Sequence, residues 1–336
     1  MIRTYIHKLL EKENLSINES FDAMMKIMSG EVSQILLSAF LIALKSKGET
    51  SDEVAGFARA MREKSIKINC ENAIDVCGTG GDNSGTFNIS TAVAFVVAGA
   101  GIKVAKHGNR SVSSNSGSAD VLRELGVSIE ITPQQSEEAL NKIGIAFLFA
   151  PLYHPAMKYA AETRKELGTR TVFNILGPLT NPASVKRQII GTFNNQTAKL
   201  LCDAGEELGY DKIKIICSAN RYDEILLDDD TKVFEYDFKS GRNEYSLSHN
   251  DFKYQKINKN NLHSSNSKES AKMILDVLQN TSANGAFHVV AANAALALKC
   301  AGYSDSLTDC VYAAEESIKS GAAINKLKSL IDFSVQ

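Results

Sequence analysis

The hydrophobic pattern of the sequence changes its period near residue 67, and this change restricts the possible folds more than any other feature. Residues 1–66 carry apolar residues at helical spacing only, and two segments open with capping boxes, Ser16–Glu19 and Thr50–Glu53. From residue 73 onward, short apolar runs typical of buried strands alternate with helical segments. This alternation predicts a mostly parallel sheet with helices on both faces.

The predicted elements divide the chain into two domains. Five runs are predicted as strands: Ala73–Cys77, Ile102–Ala105, Ala146–Phe149, Gln188–Thr192 and Ile213–Cys217. Amphipathic helices are predicted in the C-terminal third, near Ser270–Leu278, Gly285–Cys300 and Leu307–Ser320. The polar segment 238–268 is predicted to be a surface excursion without a function.

We therefore expect an α/β protein of two parts. A small N-terminal helical bundle domain would occupy residues 1–66 and would be completed by helices around residues 155–185. A larger α/β domain, with a mostly parallel central sheet flanked by helices, would occupy residues 73–336.

The charge balance and the cysteines argue against several classes of protein. The chain has 37 Lys and Arg against 39 Asp and Glu, a net charge of −2, which disfavours a general nucleic-acid or anionic-membrane binder. The longest strongly apolar stretch, Ala92–Ala105, is too short to cross a bilayer, and no secretory signal opens the chain. The six cysteines lack the spacing of a zinc site. We expect a cytoplasmic protein with reduced thiols, and neither a nucleic acid nor a membrane as partner.

Glycine is concentrated in one window of the chain. Eight of the 22 glycines lie between Gly78 and Gly117, together with many hydroxyl and amide side chains. The window holds one acid, Asp82, against Lys103, Lys106 and Arg110. Glycine, hydroxyls and a slight positive charge are the components of an anion-binding backbone.

The first part of the window follows a predicted strand directly. Gly78–Asp82 (GTGGD) can turn backbone N–H groups toward one point, although such a turn can also serve only as a tight corner. It lacks the P-loop lysine and does not match the dinucleotide-binding fingerprint. Thr86–Thr91 (TFNIST) follows and could simply cap a helix. Together with the glycine turn it suggests phosphate and metal ligation, with the Ser90 hydroxyl available to Mg²⁺.

The second part of the window follows the next predicted strand. Lys106–Ser114 (KHGNRSVSS) and Gly117–Asp120 (GSAD) would lie at a strand's carboxyl end, where open α/β sheets bind ligands. Alone, this run could be a flexible loop. Beside the first turn, it predicts a site for a substrate with phosphates at both ends.

Two remote features complete the candidate site. Asp223 and Glu224 follow the predicted strand Ile213–Cys217, and adjacent carboxylates there suit Mg²⁺, although such pairs are usually solvated. Arg164 lies in a helical segment, where an arginine is normally an exposed ion-pair partner.

These residues together closely resemble the anthranilate phosphoribosyltransferases of tryptophan biosynthesis, a nucleoside phosphorylase-like phosphoribosyltransferase family. The similarity extends over essentially the whole chain, and two blocks carry it, residues 75–127 (DVCGTGGD…KHGNRSVSSNSGSAD…) and 147–183 (…ETRKELGTRTVFNILGPLTNPA). Asn83 departs from the pattern, since glycine is commoner after the aspartate. Because Asn tolerates positive φ, we expect the turn to persist.

The resemblance implies transfer of the 5-phosphoribosyl group from phosphoribosyl pyrophosphate to the amino group of anthranilate, with Mg²⁺ as cofactor and a homodimer as the assembly. The residues that it assigns to phosphoribosyl pyrophosphate are Gly78, Gly81, Asp82, Thr86, Asn88, Ile89, Ser90, Thr91, Lys106, His107, Gly108, Asn109, Arg110, Ser111, Val112, Ser113, Ser114 and Ser118. It assigns Mg²⁺ to Ser90, Asp223 and Glu224. Anthranilate would bind Asn109 and Arg164 beside the Gly78 region.

The chemistry of this transfer requires no covalent intermediate. Lys106 and the metal-binding groups would stabilise the charge that develops as pyrophosphate leaves, and no side chain is assigned with certainty as a catalytic acid, base or nucleophile. His107 either accepts a proton late or shapes the pocket, and we favour shaping.

Two other functions compete with this interpretation. A pyrimidine nucleoside phosphorylase of the same fold would carry Lys-His-Ser where this chain has Lys106–Asn109, and it would not need Asp223 and Glu224. A non-catalytic nucleic-acid-binding relative would be basic and would lack both the acidic pair and the Arg164 block.

Overall fold

The computed structural model describes residues 2–81, 84–110, 117–283 and 285–335. The N-terminal region consists of four helices, α1 (Ile2–Leu10), α2 (Ile17–Met28), α3 (Gln34–Lys47) and α4 (Ser51–Glu63). Both predicted capping boxes form: Glu19 N donates to Ser16 Oγ at 3.2 Å, and Ser16 N donates to Glu19 Oε2 at 2.9 Å. Thr50 and Glu53 exchange the same pair of bonds at the start of α4. Local sequence therefore fixes where these helices begin.

The larger part of the chain is built on one seven-stranded sheet. Its strands are β1 (Ala73–Gly78), β2 (Lys103–Gly108), β3 (Ile145–Phe149), β4 (Arg187–Gly191), β5 (Lys212–Ser218), β6 (Thr231–Asp237) and β7 (Gly241–Leu247). The spatial order is β3-β2-β1-β4-β5-β6-β7; the first five strands are parallel, and β6 and β7 are antiparallel. All five predicted strands are confirmed.

The two antiparallel strands were not predicted. The polar segment 238–268, expected as a surface excursion, contains β7, whose residues are mostly exposed. It forms a strand because every residue from Gly241 to Leu247 pairs with β6.

Helices cover both faces of the sheet. In the first half of this region they are α5 (Ile89–Gly99), α6 (Ser118–Glu124), α7 (Pro133–Lys142), α8 (Ala150–Tyr153), α9 (Lys158–Leu167) and α10 (Phe173–Leu176). The remainder are α11 (Asn195–Glu207), α12 (Ser267–Leu278), α13 (Ala286–Ala301), α14 (Leu307–Lys319) and α15 (Ala322–Ser334). The three predicted C-terminal helices are α12, α13 and α14. None of the helices in the described ranges is long and apolar enough to cross a membrane.

Two hydrophobic cores lie on opposite faces of the sheet. Ile74 and Val76 point to the face covered by α5 and α13, whereas Ala73 belongs to the other core, as strand alternation requires. The second core is shared with the N-terminal helices, so the bundle packs against the α/β domain through apolar side chains. Helix α9 contacts α2 and α3, and α10 contacts α4.

The strand order reverses at β1, and this reversal places the site. Strands β2 and β3 lie on one side of β1, and β4 and β5 on the other. In open α/β sheets a crevice forms beyond the carboxyl ends of the strands at such a point. Gly78 and Gly191, the last residues of β1 and β4, pair there.

Candidate active site

A cleft of about 550 Å³ opens at the carboxyl ends of β1 and β2, beside the point where the strand order reverses. It brings together most of the predicted site residues: Gly78, Gly81, Thr86, Asn88, Ser90, Lys106, His107, Gly108, Asn109, Arg110, Ser118, Arg164, Asp223 and Glu224. The predicted residues Asp82, Ser111, Val112, Ser113 and Ser114, and the departure at Asn83, lie outside the described residues.

Ile89 and Thr91 do not line the cleft. Ile89 is buried in the core, and Thr91 is also fully buried, with its hydroxyl donating to Asn88 Oδ1 at 2.5 Å. Asn88 caps α5 by accepting from Thr91 N at 3.2 Å. The first turn of α5 therefore presents Asn88 and Ser90 to the cleft and directs the other two side chains inward.

The glycine turn brings the backbone close to the acidic pair. Gly80 and Gly81 have φ of +65° and +77°, values that other residues adopt only with strain. A Cβ on Gly78 would lie 2.5 Å from Asp223 Oδ2. Arg170 donates a hydrogen bond to Gly81 O and so ties this turn to the segment after α9. The turn thus needs glycine for close approach as well as for its backbone conformation.

Lys106 lines the cleft although it is almost fully buried, with 4% of its surface exposed. Its Nζ donates to Val76 O at 2.7 Å and to Ser90 Oγ at 3.1 Å. Burial lowers the pKa of Lys106, and the negative charge of Asp75 opposes that shift. The ammonium group is therefore fixed next to the hydroxyl predicted to bind metal.

The buried carboxylate of Asp75 accepts hydrogen bonds from residues that support the cleft. This role of Asp75 was not predicted from the sequence. Its Oδ1 accepts from His107 N at 3.2 Å, and its Oδ2 accepts from Asn181 Nδ2 at 2.8 Å and from Gln188 Nε2 at 3.0 Å. Burial raises its pKa to about 6, while Lys106 acts in the opposite direction. The sequence did offer a signal for this role, since Asp75 stands in the middle of the apolar strand Ala73–Cys77. A buried carboxylate is rare without hydrogen-bond or charged partners, so its position indicated a structural or functional role.

Asp223 and Glu224 follow β5 and line the cleft together with residues at the start of α5. Thr86 Oγ1 donates to Glu224 Oε2 at 3.2 Å, and Ser90 lines the same cleft. This oxygen-only donor set fits Mg²⁺, which keeps several positions for water and substrate phosphates. Within the described ranges, no group of three or more His, Cys, Asp or Glu could hold a metal ion. Two carboxylates and a hydroxyl match a metal that substrate phosphates help to bind.

Two buried histidines lie behind the Lys106 strand end. The rings of His107 and His154 are 5.2 Å apart, and the Nε2 atoms of both lack a hydrogen-bond partner in the described structure. Burial lowers the pKa of His107 to about 3 and that of His154 to about 4. Both rings are therefore neutral near pH 7, which suits a shaping role for His107 better than proton transfer.

Arg164 reaches the cleft from α9. Its guanidinium lies over the Phe173 ring, 5.2 Å from the centroid, and burial lowers its pKa. No carboxylate within the described residues forms an ion pair with it, whereas Arg110 pairs with Glu130 at 3.5 Å. Arg164 is therefore a half-buried cation positioned for an anionic, planar ligand group.

A further wall of the cleft was not predicted. His263 and Ser264, from the polar segment expected to have no function, line the cleft beside Gly85 and Thr86. They arrive there because Thr86 and His263 form an isolated antiparallel bridge. No local sequence pattern signals a pairing across that distance along the chain.

Known proteins share this sequence and architecture. The a/b domain of a glycosyl transferase family matches residues 70–324, and the helical bundle domain of a glycosyl transferase family matches residues 3–65. The anthranilate phosphoribosyltransferase of Alkaliphilus metalliredigens is 41% identical over 337 residues, which cover 99% of this chain and 98% of the relative.

Solved structures agree with the sequence relatives. The crystal structure of anthranilate phosphoribosyltransferase from Thermus thermophilus superposes with a TM-score of 0.92 and 35% identity, covering 99% of both chains. The Saccharomyces cerevisiae anthranilate phosphoribosyltransferase in complex with PRPP and Mg superposes with a TM-score of 0.90 and 27% identity, covering 99% of this chain and 98% of that one.

Proposed function

The chain belongs to the anthranilate phosphoribosyltransferase family, and from that membership we infer its reaction. It transfers the 5-phosphoribosyl group from phosphoribosyl pyrophosphate (PRPP) to the amino group of anthranilate, giving N-(5-phosphoribosyl)anthranilate and pyrophosphate, the second step of tryptophan biosynthesis from chorismate. One observation in the cleft supports this reaction most strongly. The Asp223–Glu224 pair, the glycine turn and the half-buried cation Arg164 all line one cleft.

PRPP is proposed to bind along the strand ends. Gly78, Gly81, Thr86, Asn88 and Ser118 line this part of the cleft, offering backbone N–H groups, hydroxyls and an amide. Asp82 and the run Ser111–Ser114 are proposed to contribute on the basis of the family resemblance alone. Lys106, held by Val76 O and Ser90 Oγ, supplies a fixed positive charge beneath the pyrophosphate.

Mg²⁺ is the cofactor, and we propose that Ser90, Asp223 and Glu224 hold it. When bound, it neutralises charge that accumulates on the pyrophosphate oxygens during bond cleavage. The chain's own contribution is the placement of these oxygens: Thr86 orients Glu224, and the absence of a side chain at Gly78 leaves room for Asp223.

Anthranilate is proposed to bind between Arg164 and the phosphate turns. The guanidinium of Arg164 can bind the substrate carboxylate in a two-bond geometry, and Asn109 lines the same cleft. The aromatic amine of anthranilate is neutral near pH 7, so the protein needs to place it rather than deprotonate it. His107, neutral and buried, shapes the pocket without acting as a strong base.

The experiment that tests this function follows anthranilate fluorescence with PRPP and Mg²⁺. We expect fluorescence to fall only when both are present. Stable fluorescence, combined with phosphate-dependent cleavage of thymidine or uridine, would transfer the assignment to the pyrimidine nucleoside phosphorylase. Neither that alternative nor a nucleic-acid-binding function is favoured, because the chain has the acidic pair, Arg164 and a net charge of −2.

A homodimer and a cytoplasmic location are also proposed. The helical bundle exposes Leu10 at 60%, Ile35 at 82% and Ile42 at 44%, apolar side chains that a second copy could cover. The six cysteines are all free thiols, which is typical of a reducing compartment.

A further inference from the structure

The segment 262–264 is held against the entrance to α5 by one antiparallel bridge, which consists of two backbone hydrogen bonds. Phe87 N donates to Leu262 O at 2.8 Å, Ser264 N donates to Gly85 O at 2.8 Å, and Thr86 and His263 form the bridge between them. A Cβ on Gly85 would lie 2.7 Å from His263 Cδ2, so the imidazole packs directly onto that glycine. Backbone hydrogen bonds and side-chain packing therefore hold this segment against the cleft.

Helix α12 holds the same wall in place from behind. Ser265 Oγ donates to Glu269 Oε2 at 2.6 Å, and Asn266 caps the helix by accepting from Glu269 N at 2.9 Å. Ser270, one turn further, accepts from Asn88 N at 2.8 Å. The residue that caps α5 is thus tied to the helix that follows Ser264.

The hydroxyl of Ser264 is buried in the cleft wall without a partner among the described residues. Ser264 is 1% exposed, and its Oγ makes no hydrogen bond within the part of the chain that the structure describes. Buried hydroxyls are almost always paired, because an unpaired one loses its bonds to water. An orphaned donor that lines a binding cleft indicates a missing ligand atom.

We propose that Ser264 is a substrate-binding residue whose hydroxyl donates a hydrogen bond to a pyrophosphate oxygen of PRPP. The proposal rests on the proposed function, since that function supplies the phosphate. The pyrophosphate end is favoured over the 5-phosphate end because Thr86, the bridge partner of His263, also donates to Glu224 at 3.2 Å. The wall thus adjoins the carboxylates proposed to bind Mg²⁺.

The first test is Ser264→Ala in the full chain, assayed at saturating anthranilate and Mg²⁺. Loss of one hydrogen bond to a charged group should raise the KM for PRPP about tenfold and leave the KM for anthranilate unchanged. Since the hydroxyl bonds no other described residue, the melting temperature without substrate should not fall. An unchanged KM for PRPP in this variant, with wild-type enzyme active, overturns the proposal and leaves the proposed function intact.

Ser265→Ala is the matched control, one residue away. It removes a hydroxyl that bonds Glu269 near the start of α12 and does not line the cleft. This variant should lower the melting temperature slightly and leave the KM for PRPP unchanged. If both variants raise the KM for PRPP equally, the effect is transmitted through α12. The proposed hydrogen bond between Ser264 and PRPP is then refuted.

Inhibition by compounds that resemble one end of PRPP identifies the end that Ser264 binds. Ser264→Ala should raise the inhibition constant of pyrophosphate with Mg²⁺ about tenfold and leave that of ribose 5-phosphate unchanged. A selective effect on ribose 5-phosphate contradicts the assignment to the pyrophosphate end.

Discussion

Replacement of Arg164 by alanine probes the anthranilate pocket most specifically. The guanidinium is half-buried over Phe173, and no carboxylate in the described residues neutralises it. Its hydrogen bonds to a substrate carboxylate are therefore formed in partly desolvated surroundings, where one such bond is worth about 1.5–3 kcal/mol. A two-bond contact worth about 3 kcal/mol corresponds to a change in binding on the order of a hundredfold.

We expect Arg164→Ala to raise the KM for anthranilate on the order of a hundredfold. The KM for PRPP should change little, because the phosphate-binding turns belong to other elements. Arg164→Lys keeps the charge but loses the planar fork, so its KM for anthranilate should rise by roughly tenfold. Lys165→Ala, on the adjacent exposed residue of α9, is the control and should behave as wild type.

Competitive inhibitors show whether Arg164→Ala loses a contact with the carboxylate or disturbs the pocket as a whole. Benzoate and benzamide have nearly the same shape, but only benzoate carries the carboxylate. Wild-type enzyme should prefer benzoate, and Arg164→Ala should lose that preference. If the variant keeps both the preference and the wild-type KM for anthranilate, Arg164 does not bind the carboxylate.

Other variants test the metal site, the buried histidines and the bundle surface. Asp223→Asn should raise the Mg²⁺ concentration required for half-maximal rate at least about tenfold, measured at fixed PRPP, because one charged oxygen ligand is lost; an unchanged Mg²⁺ requirement would refute its role. The free energy of unfolding should fall as the pH drops from about 6.5 towards 4, because His107 and His154 bind protons at about 6.5 when unfolded but only at about 3 and about 4 when folded. Asp75, whose pKa is raised to about 6 in the folded protein, offsets up to one of these two protons below pH 6. His154→Phe should therefore reduce the slope in denaturant titrations by up to one proton, or about 1.4 kcal/mol per pH unit, and an unchanged slope would show that His154 is not the buried neutral group described here. If the chain forms the proposed homodimer through the bundle, Ile35→Glu should shift sedimentation from dimer to monomer, because Ile35 is 82% exposed on the bundle surface; a wild-type protein that sediments as a monomer, or a variant that stays dimeric, would contradict this proposal.

The parallel core of the fold could be predicted because its signals are local. Each of β1 to β5 is mostly buried and contains a short apolar segment, and the loops that carry chemistry follow β1 and β2 directly. The same logic located the cleft, since carboxyl ends of parallel strands meet at one edge.

The antiparallel edge had no such signal. In β7, Arg242, Asn243 and Glu244 are exposed, so no apolar alternation marks the strand. Its conformation comes from hydrogen bonds to β6, which depend on a partner in space rather than on side-chain pattern.

The less predictable part of the site is also held by tertiary contacts. Ser264 reaches the cleft through pairing with Gly85, and Asp75 becomes an anchor only when Asn181 and Gln188 surround it. Conversely, all of Asn88–Thr91 was predicted to bind substrate, because the run is polar apart from Ile89. In the structure the helical geometry of α5 places the Thr91 side chain in the protein interior. Sequence pattern identifies which residue types are present, whereas packing decides which of them face the ligand.

The stoichiometry of the reaction tests the central claim most directly. Purified protein should consume one anthranilate for each pyrophosphate released, only with PRPP and Mg²⁺ present, and Asp223→Asn should slow both changes equally. Pyrophosphate release without loss of anthranilate, or loss of anthranilate without Mg²⁺, would contradict a cleft in which the acidic pair and Arg164 act on the two substrates together.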